Sequence, residues 1–180
     1  MHFFWEKIMY VLSAYKELLD GKKQFASKIP KFQDMYREKL SSLNSKYVQI
    51  MESTSGDPRY TEFKHPREDR WAFIVSEMSF PEEGAYRVQC FDRRGFFSHL
   101  TYKSLELAIE AMINDNFYLN DKGCLELISS TALWNRGVEL GSVLQKSNSK
   151  MITWIEANKQ SEQIIENYEE AIAAELNGDD

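Results

Sequence analysis

In the stretch "QCFDRRGFFSHL", residues 89–100, Cys90 and His99 stand close enough in sequence to suggest a thiol–imidazole dyad, beside Arg93 and Arg94 and three phenylalanines. A nucleophilic dyad needs thiol and base within hydrogen-bond reach on one face. Turn chemistry decides whether they meet. If "RRG" is a three-residue loop, a type I turn with Gly95 in the left-handed position of a bulge, Asp92 faces Phe96 and Cys90 faces Ser98. Strand alternation then groups Tyr86, Val88 and Cys90 with Phe96, Ser98, Leu100 and Tyr102. Arg87, Gln89 and Phe91 share the other face with Phe97, His99 and Thr101. A two-residue loop would shift every partner by one and mix polar with apolar. The three-residue loop sorts them better, and it sends Cys90 and His99 to opposite faces.

What remains of the stretch is a contact surface. Arg87, Arg93, Arg94 and His99 supply hydrogen-bond donors and positive charge, while Phe91 and Phe97 supply rings for stacking, as single-stranded nucleic-acid binders use them. The plainer reading is a solvated turn beside a half-buried face, since turn positions accept almost any polar residue.

Other chemistry is sparse. His65, Glu68 and Asp69 in "RYTEFKHPREDR" are adjacent and lack a second histidine, so no metal is expected there. The chain has no GxSxG, GxGxxG or GKS/GKT pattern, and no cofactor is implied. "GVELG", with Gly137 and Gly141, implies only close packing of a helix. An enzyme would need a pocket with convergent titratable groups that no motif announces.

The acidic end of the chain offers a different surface. Residues 104–180 hold five basic and fourteen acidic residues, whereas residues 1–58 hold nine and seven and residues 59–103 hold eight and seven. Glu162, Glu166 and Glu170 recur every fourth residue with Glu169 beside them, a spacing at which like charges oppose the helix that carries them. A basic protein partner would relieve that repulsion; otherwise the face serves solubility.

These residues need elements to position them. With 180 residues, 43% of them hydrophobic, the chain is expected to form a single domain, 1–180. Its net charge of −6 argues against a broad nucleic-acid or anionic-lipid footprint. Two cysteines without ligand spacing, no run long enough to span a membrane and a start interrupted by Glu6 and Lys7 point to a cytoplasmic protein. Trp5, Ile8, Leu12, Tyr15 and Leu19 form one helical stripe ended by Gly21, and Phe32, Tyr36, Leu40, Leu43, Tyr47 and Ile50 form a second ended by "STSGDP". Together they predict a helical hairpin over 1–53.

"RWAFIVSEM", "AYRVQCFD" and "FFSHLTY" predict a three-stranded antiparallel meander over 70–102. Helices follow over 104–177: one capped by Ser104, one from Cys124 to Ser147 bent or split near the two glycines, and a long last one striped by Met151, Trp154, Ile165, Tyr168 and Ile172. The expectation is thus an α+β fold: the meander packed with helices, an N-terminal helical hairpin and a long C-terminal helix. Its expected function is a non-catalytic interaction module of inhibitor, immunity or adaptor type. Glu162, Glu166, Glu169 and Glu170 would bind a basic partner. The alternative is nucleic-acid binding through residues 87–99, with no membrane partner in either case.

Overall fold

The structure is a computed structural model that describes residues 33–76 and 85–177, with side chains from residue 41 onward in the first segment. It is α+β, with a five-stranded antiparallel sheet and five helices among the described residues. The first helix of the expected hairpin, residues 1–20, lies outside the described residues, as do the "SFPEEG" link and Asp179 and Asp180. The backbone clusters into two compact units, one holding the described chain up to Cys90 with His99–Lys122, the other Phe91–Ser98 with the chain from Gly123.

In the first unit α1 (Gln33–Ser53) ends where "STSGDP" begins. Its stripe buries Leu43, Tyr47, Ile50 and Met51, and Gly56, at φ +87°, lets the chain turn back as its amide donates to the Met51 carbonyl at 2.8 Å. The strands are β1 (Phe63–Lys64), β2 (Arg70–Ser76), β3 (Tyr86–Asp92), β4 (Gly95–Tyr102) and β5 (Leu119–Asn120), in the order β4-β3-β2-β1-β5. β1 pairs antiparallel with β2, Phe63 opposite Ala72, and with β5, Phe63 opposite Asn120.

The three expected strands are present, but the sheet has five. β1 lies in the charged stretch "RYTEFKHPREDR" and β5 in "NDNFYLNDKG", neither of which carries a strand pattern. Two residues are too few to show alternation, so tertiary pairing alone creates these strands.

Packed on the sheet is α2 (Leu105–Asn114), whose cap is Ser104: its hydroxyl accepts from the Leu107 amide at 3.3 Å. Ala108, Ile109, Met112 and Ile113 join Phe63, Ala72, Ile74, Val88 and Phe117 in a core that includes the α1 stripe. Burying each of the larger side chains among them contributes about 1.5–3 kcal/mol. The opposite side of β2 is closed at Trp71, whose indole donates to Asp121 Oδ2 at 2.7 Å beneath the Lys64 ammonium, 5.1 Å from the ring centroid.

In the second unit α3 (Cys124–Ser129) is followed by α4 (Ala132–Asn148) and α5 (Trp154–Asn177). The helix expected over 124–147 splits at Ser130 and Thr131, not at the glycines. The Thr131 hydroxyl accepts from the Trp134 amide at 3.2 Å and so starts a new helix. α5 begins with a capping box: Thr153 Oγ1 accepts from the Glu156 amide at 3.2 Å, and the Glu156 carboxylate accepts from the Thr153 amide at 2.8 Å. The Thr153 amide, and after it the Thr153 hydroxyl, which donates to Glu156 Oε2 at 2.9 Å, hold the Glu156 carboxyl below its ordinary pKa.

α4 and α5 run antiparallel, since Glu175 near the end of α5 accepts from the Ala132 amide at the start of α4, 2.7 Å away. Midway along the pair Tyr168 donates to Glu139 Oε1 at 2.6 Å.

Candidate functional site

Three features of the second unit define its surface: the hairpin tip, the seam between α4 and α5, and the outer face of α5. At the tip Gly95 has φ +123° while neither Arg93 nor Arg94 has a positive φ. That excludes the primed two-residue turns and fits a type I turn followed by a glycine bulge. The Asp92 carboxylate accepts from the Arg94 amide at 2.6 Å and fixes the turn.

The tip rests on α4. A Cβ built at Gly137 would fall on the carbonyl of Arg94, so only glycine lets the turn backbone reach the helix. At Gly141 a Cβ would meet nothing within 4 Å. Of the two glycines of "GVELG", the first is a docking position. Beside it Trp134 meets the rings of Phe96 and Phe91, with centroids 5.2 and 5.9 Å apart, and these two rings meet each other at 6.0 Å. All three pairs are edge-to-face, the arrangement the ring quadrupole favours.

This packing answers whether a helix covers the hairpin face. Phe91 is wholly buried and its ring serves the fold. It meets Phe96, although strand alternation from the three-residue loop places Phe91 with Phe97. Phe97 is half exposed and His99 is exposed. Arg87 is half-buried, Arg93 lines a hollow of about 350 Å³ with Ile128 and Ile172, and the Arg94 side chain is 74% exposed, 3.9 Å from Asp92 Oδ2. The expected stacking pair is therefore divided, one ring in the interior and one at the surface.

Cys90 packs against the core of the first unit while His99 is exposed. Burial, reinforced by the Asp115 charge, pushes the Cys90 thiol from 9.0 up to about 11. A thiol so placed stays protonated near neutrality, the reverse of what a nucleophile needs. His65 is buried: its Nδ1 accepts from the Arg67 amide at 3.2 Å and its ring meets Phe117 edge-on at 5.9 Å. Glu68 pairs with Arg70 at 2.7 Å and Asp69 with Lys64 at 3.1 Å. Among the described residues no group of three or more His, Cys, Asp or Glu is arranged to hold a metal ion.

The seam side of α5 differs from the expected stripe. Ala157, Ser161, Ile164, Tyr168 and Ile172 turn inward at steps of four, three, four and four, whereas Met151, Trp154 and Ile165 are exposed. Small Ala157 and Ser161 let the helices approach near the turn, so the bulky residues on either side are left outside.

Glu162, Glu166, Glu169 and Glu170 are all exposed and lie opposite the seam. No hydrogen bond or ion pair joins them to a described residue, in contrast to Glu139, Glu156 and Glu175. Ile155, 80% exposed, lies seven and eleven residues before Glu162 and Glu166, on the same line of the helix. Trp154, 66% exposed, and Met151, 77% exposed, flank it, beside a depression of about 420 Å³ at the turn. The outer face thus carries Ile155 and an acidic run, while Trp154, three and seven residues before Ala157 and Ser161, stands exposed where the seam line begins. The apolar end went unread in the sequence because Met151 and Trp154 were assigned to the interior stripe and Ile155 to no face.

No helix among the described residues is long and apolar enough to cross a membrane. No family model matches the chain, and neither a curated protein nor a solved structure shows significant similarity to it.

Proposed function

We propose that the chain is a non-catalytic protein-interaction module of inhibitor, immunity or adaptor type, which holds a basic segment of a partner protein on the outer face of α5. One observation carries the reading: Ile155 and Trp154 stand in solvent beside the run of Glu162, Glu166, Glu169 and Glu170. Clustered exposed apolar side chains mark contact sites, and a tryptophan is among the residues that most often dominate binding energy. The carboxylates add specificity and speed of encounter for a positively charged partner, and their mutual repulsion is relieved when it binds. The partner segment that fits has large apolar residues at one end and Lys or Arg spaced along about 20 Å of helix face. A reducing, cytoplasmic setting suits two free thiols.

The test is affinity capture by the full chain, with a photocrosslinker at Lys159, exposed one turn from Ile155, to report which protein touches that face. Glu162, Glu166, Glu169 and Glu170 changed together to Gln should weaken capture and remove its salt dependence. Trp154→Ser with Ile155→Ser should abolish it. Equal recovery and crosslinking by all forms would remove α5 from the function. A parallel titration with a short single-stranded oligonucleotide, wild type against Arg93→Ala with Arg94→Ala, distinguishes the nucleic-acid alternative.

A further inference from the structure

A separate feature lies in the first unit and stands apart from the reading of α5. Just after α1 the chain folds around a pocket of about 400 Å³ lined by Ser55, Asp57, Arg59, Tyr60, Asn120 and Lys122 among others. That volume is within the range of small-molecule sites. The backbone here is held in an unfavourable form: Ser55 and Tyr60 have φ +58° and +61°. An aromatic residue in the left-handed region is uncommon and strained. The strain is imposed by the Tyr60 amide donating to the Ile74 carbonyl at 2.8 Å, and by Arg59 bridging to the same residue. Yet the Tyr60 side chain is 62% exposed, so packing does not offset it. Residues held in this region cluster at ligand clamps and active sites.

The polar groups around it form a consistent set. Arg59 grips Asp57 with Nε to Oδ1 at 2.8 Å and Nη2 to Oδ2 at 2.6 Å, and reaches Ser76 Oγ with Nη1 at 3.3 Å. The two charges cancel and stiffen one wall. Lys122 is held through its backbone amide, which donates to Asn120 Oδ1 at 3.2 Å, while its ammonium pairs with no described residue. The pocket therefore carries a net positive charge. Ser53 and Thr54 donate their hydroxyl protons to the Ile50 carbonyl at 3.0 and 2.8 Å, which leaves their oxygens as acceptors.

We infer that this pocket binds a small phosphorylated ligand bearing a planar ring, of the nucleoside monophosphate class. Tyr60 stacks on the ring, Lys122 meets the phosphate, and the Ser53 and Thr54 oxygens accept from the sugar hydroxyls. Each group answers to one part of that ligand.

The experiment is a titration of the full chain with AMP, adenosine and inorganic phosphate, followed by amide chemical shifts. AMP should shift residues 53–61 and 120–122 and bind about tenfold or more tightly than either fragment. Tyr60→Gly keeps the fold, because glycine, without a Cβ, adopts φ near +61° at no steric cost. It should weaken AMP and adenosine about tenfold, as loss of ring stacking does, and leave phosphate unchanged. Lys122→Gln should weaken AMP and phosphate and leave adenosine unchanged. Absence of shifts at these residues with about 10 mM AMP overturns the inference. So do Tyr60→Gly and Lys122→Gln variants that bind all three probes as wild type does.

Discussion

The two compact units treat their apolar residues differently. The first buries Tyr47, Ile50, Phe63, Ile74, Ile109 and Met112 to within 1% of complete exclusion from solvent, whereas the second buries Phe91 to that degree and leaves its neighbours partly outside. Ten of the thirteen large apolar side chains that stand exposed among the described residues belong to the second unit. Both units have well-capped helices, so local helix signals do not explain the contrast. What differs is the partner layer. α1 and α2 lie on a sheet, a broad surface that accepts a wide apolar stripe; α4 and α5 present narrow seams that cover less. Residues such as Trp154 and Ile155 are the remainder. Buried core thus lies chiefly in the first unit and exposed apolar surface chiefly in the second.

The sharpest way to break this contrast is at Phe91. Phe91→Ala removes the buried ring at the centre of the Phe96 and Trp134 cluster and should cost about 3–5 kcal/mol. Denaturant unfolding with hydrogen exchange should show the loss concentrated in the amides of α4 and α5. A uniform loss that extends over residues 43–117 would merge the two units into one cooperative core and end the comparison.

Gly137 offers a smaller and more selective change. Gly137→Ala places a methyl group on the Arg94 carbonyl and should destabilise by about 1–3 kcal/mol, the cost of forcing apart a close contact. Gly141→Ala, with nothing near its new methyl, should instead stabilise α4 by up to about 1 kcal/mol. Opposite signs in thermal unfolding would identify the turn contact as what holds the tip; equal signs would reduce both glycines to helix propensity.

These predictions rest on contacts that the sequence did not reveal, while much of the fold was legible. The spacing of Leu43, Tyr47 and Ile50 foretold the inner face of α1, Ser104 foretold the cap of α2, and the alternating runs foretold β2, β3 and β4. Each is a local signal with several residues to express it. β1 and β5 have two residues each and arise from pairing with distant chain. Gly137 looked like a helix bend because its contact, Arg94, is remote in sequence. The α5 stripe was misplaced because large apolar residues were assumed to face inward, while Ala157 and Ser161, too small to advertise themselves, form the seam. The acidic run could be read as a pattern. Its apolar end became visible only once the seam was known.

At the start of α5 a further change separates structure from surface. Thr153→Ala removes the hydroxyl that accepts from the Glu156 amide and should cost about 1 kcal/mol, with the first turn of α5 losing exchange protection. Because Met151, Trp154 and Ile155 sit on or beside that turn, its fraying should also weaken partner capture without altering any contact residue. Glu156→Gln keeps one acceptor oxygen for the Thr153 amide and should behave more mildly.

The smallest expected effect on stability tests the contrast most directly. Trp154→Ser and Ile155→Ser alter side chains that are 66% and 80% exposed, so each should change unfolding free energy by no more than about 0.5 kcal/mol. In the first unit, Ile109→Ser would by contrast open a cavity and place a hydroxyl in the core, with a loss of about 2–5 kcal/mol. If the α5 substitutions leave unfolding unchanged yet abolish partner capture, the apolar residues outside the seam serve a partner and not the fold. If they destabilise the chain as Ile109→Ser does, those residues belong to the fold of the chain, and the outer face of α5 loses its claim to be a binding surface.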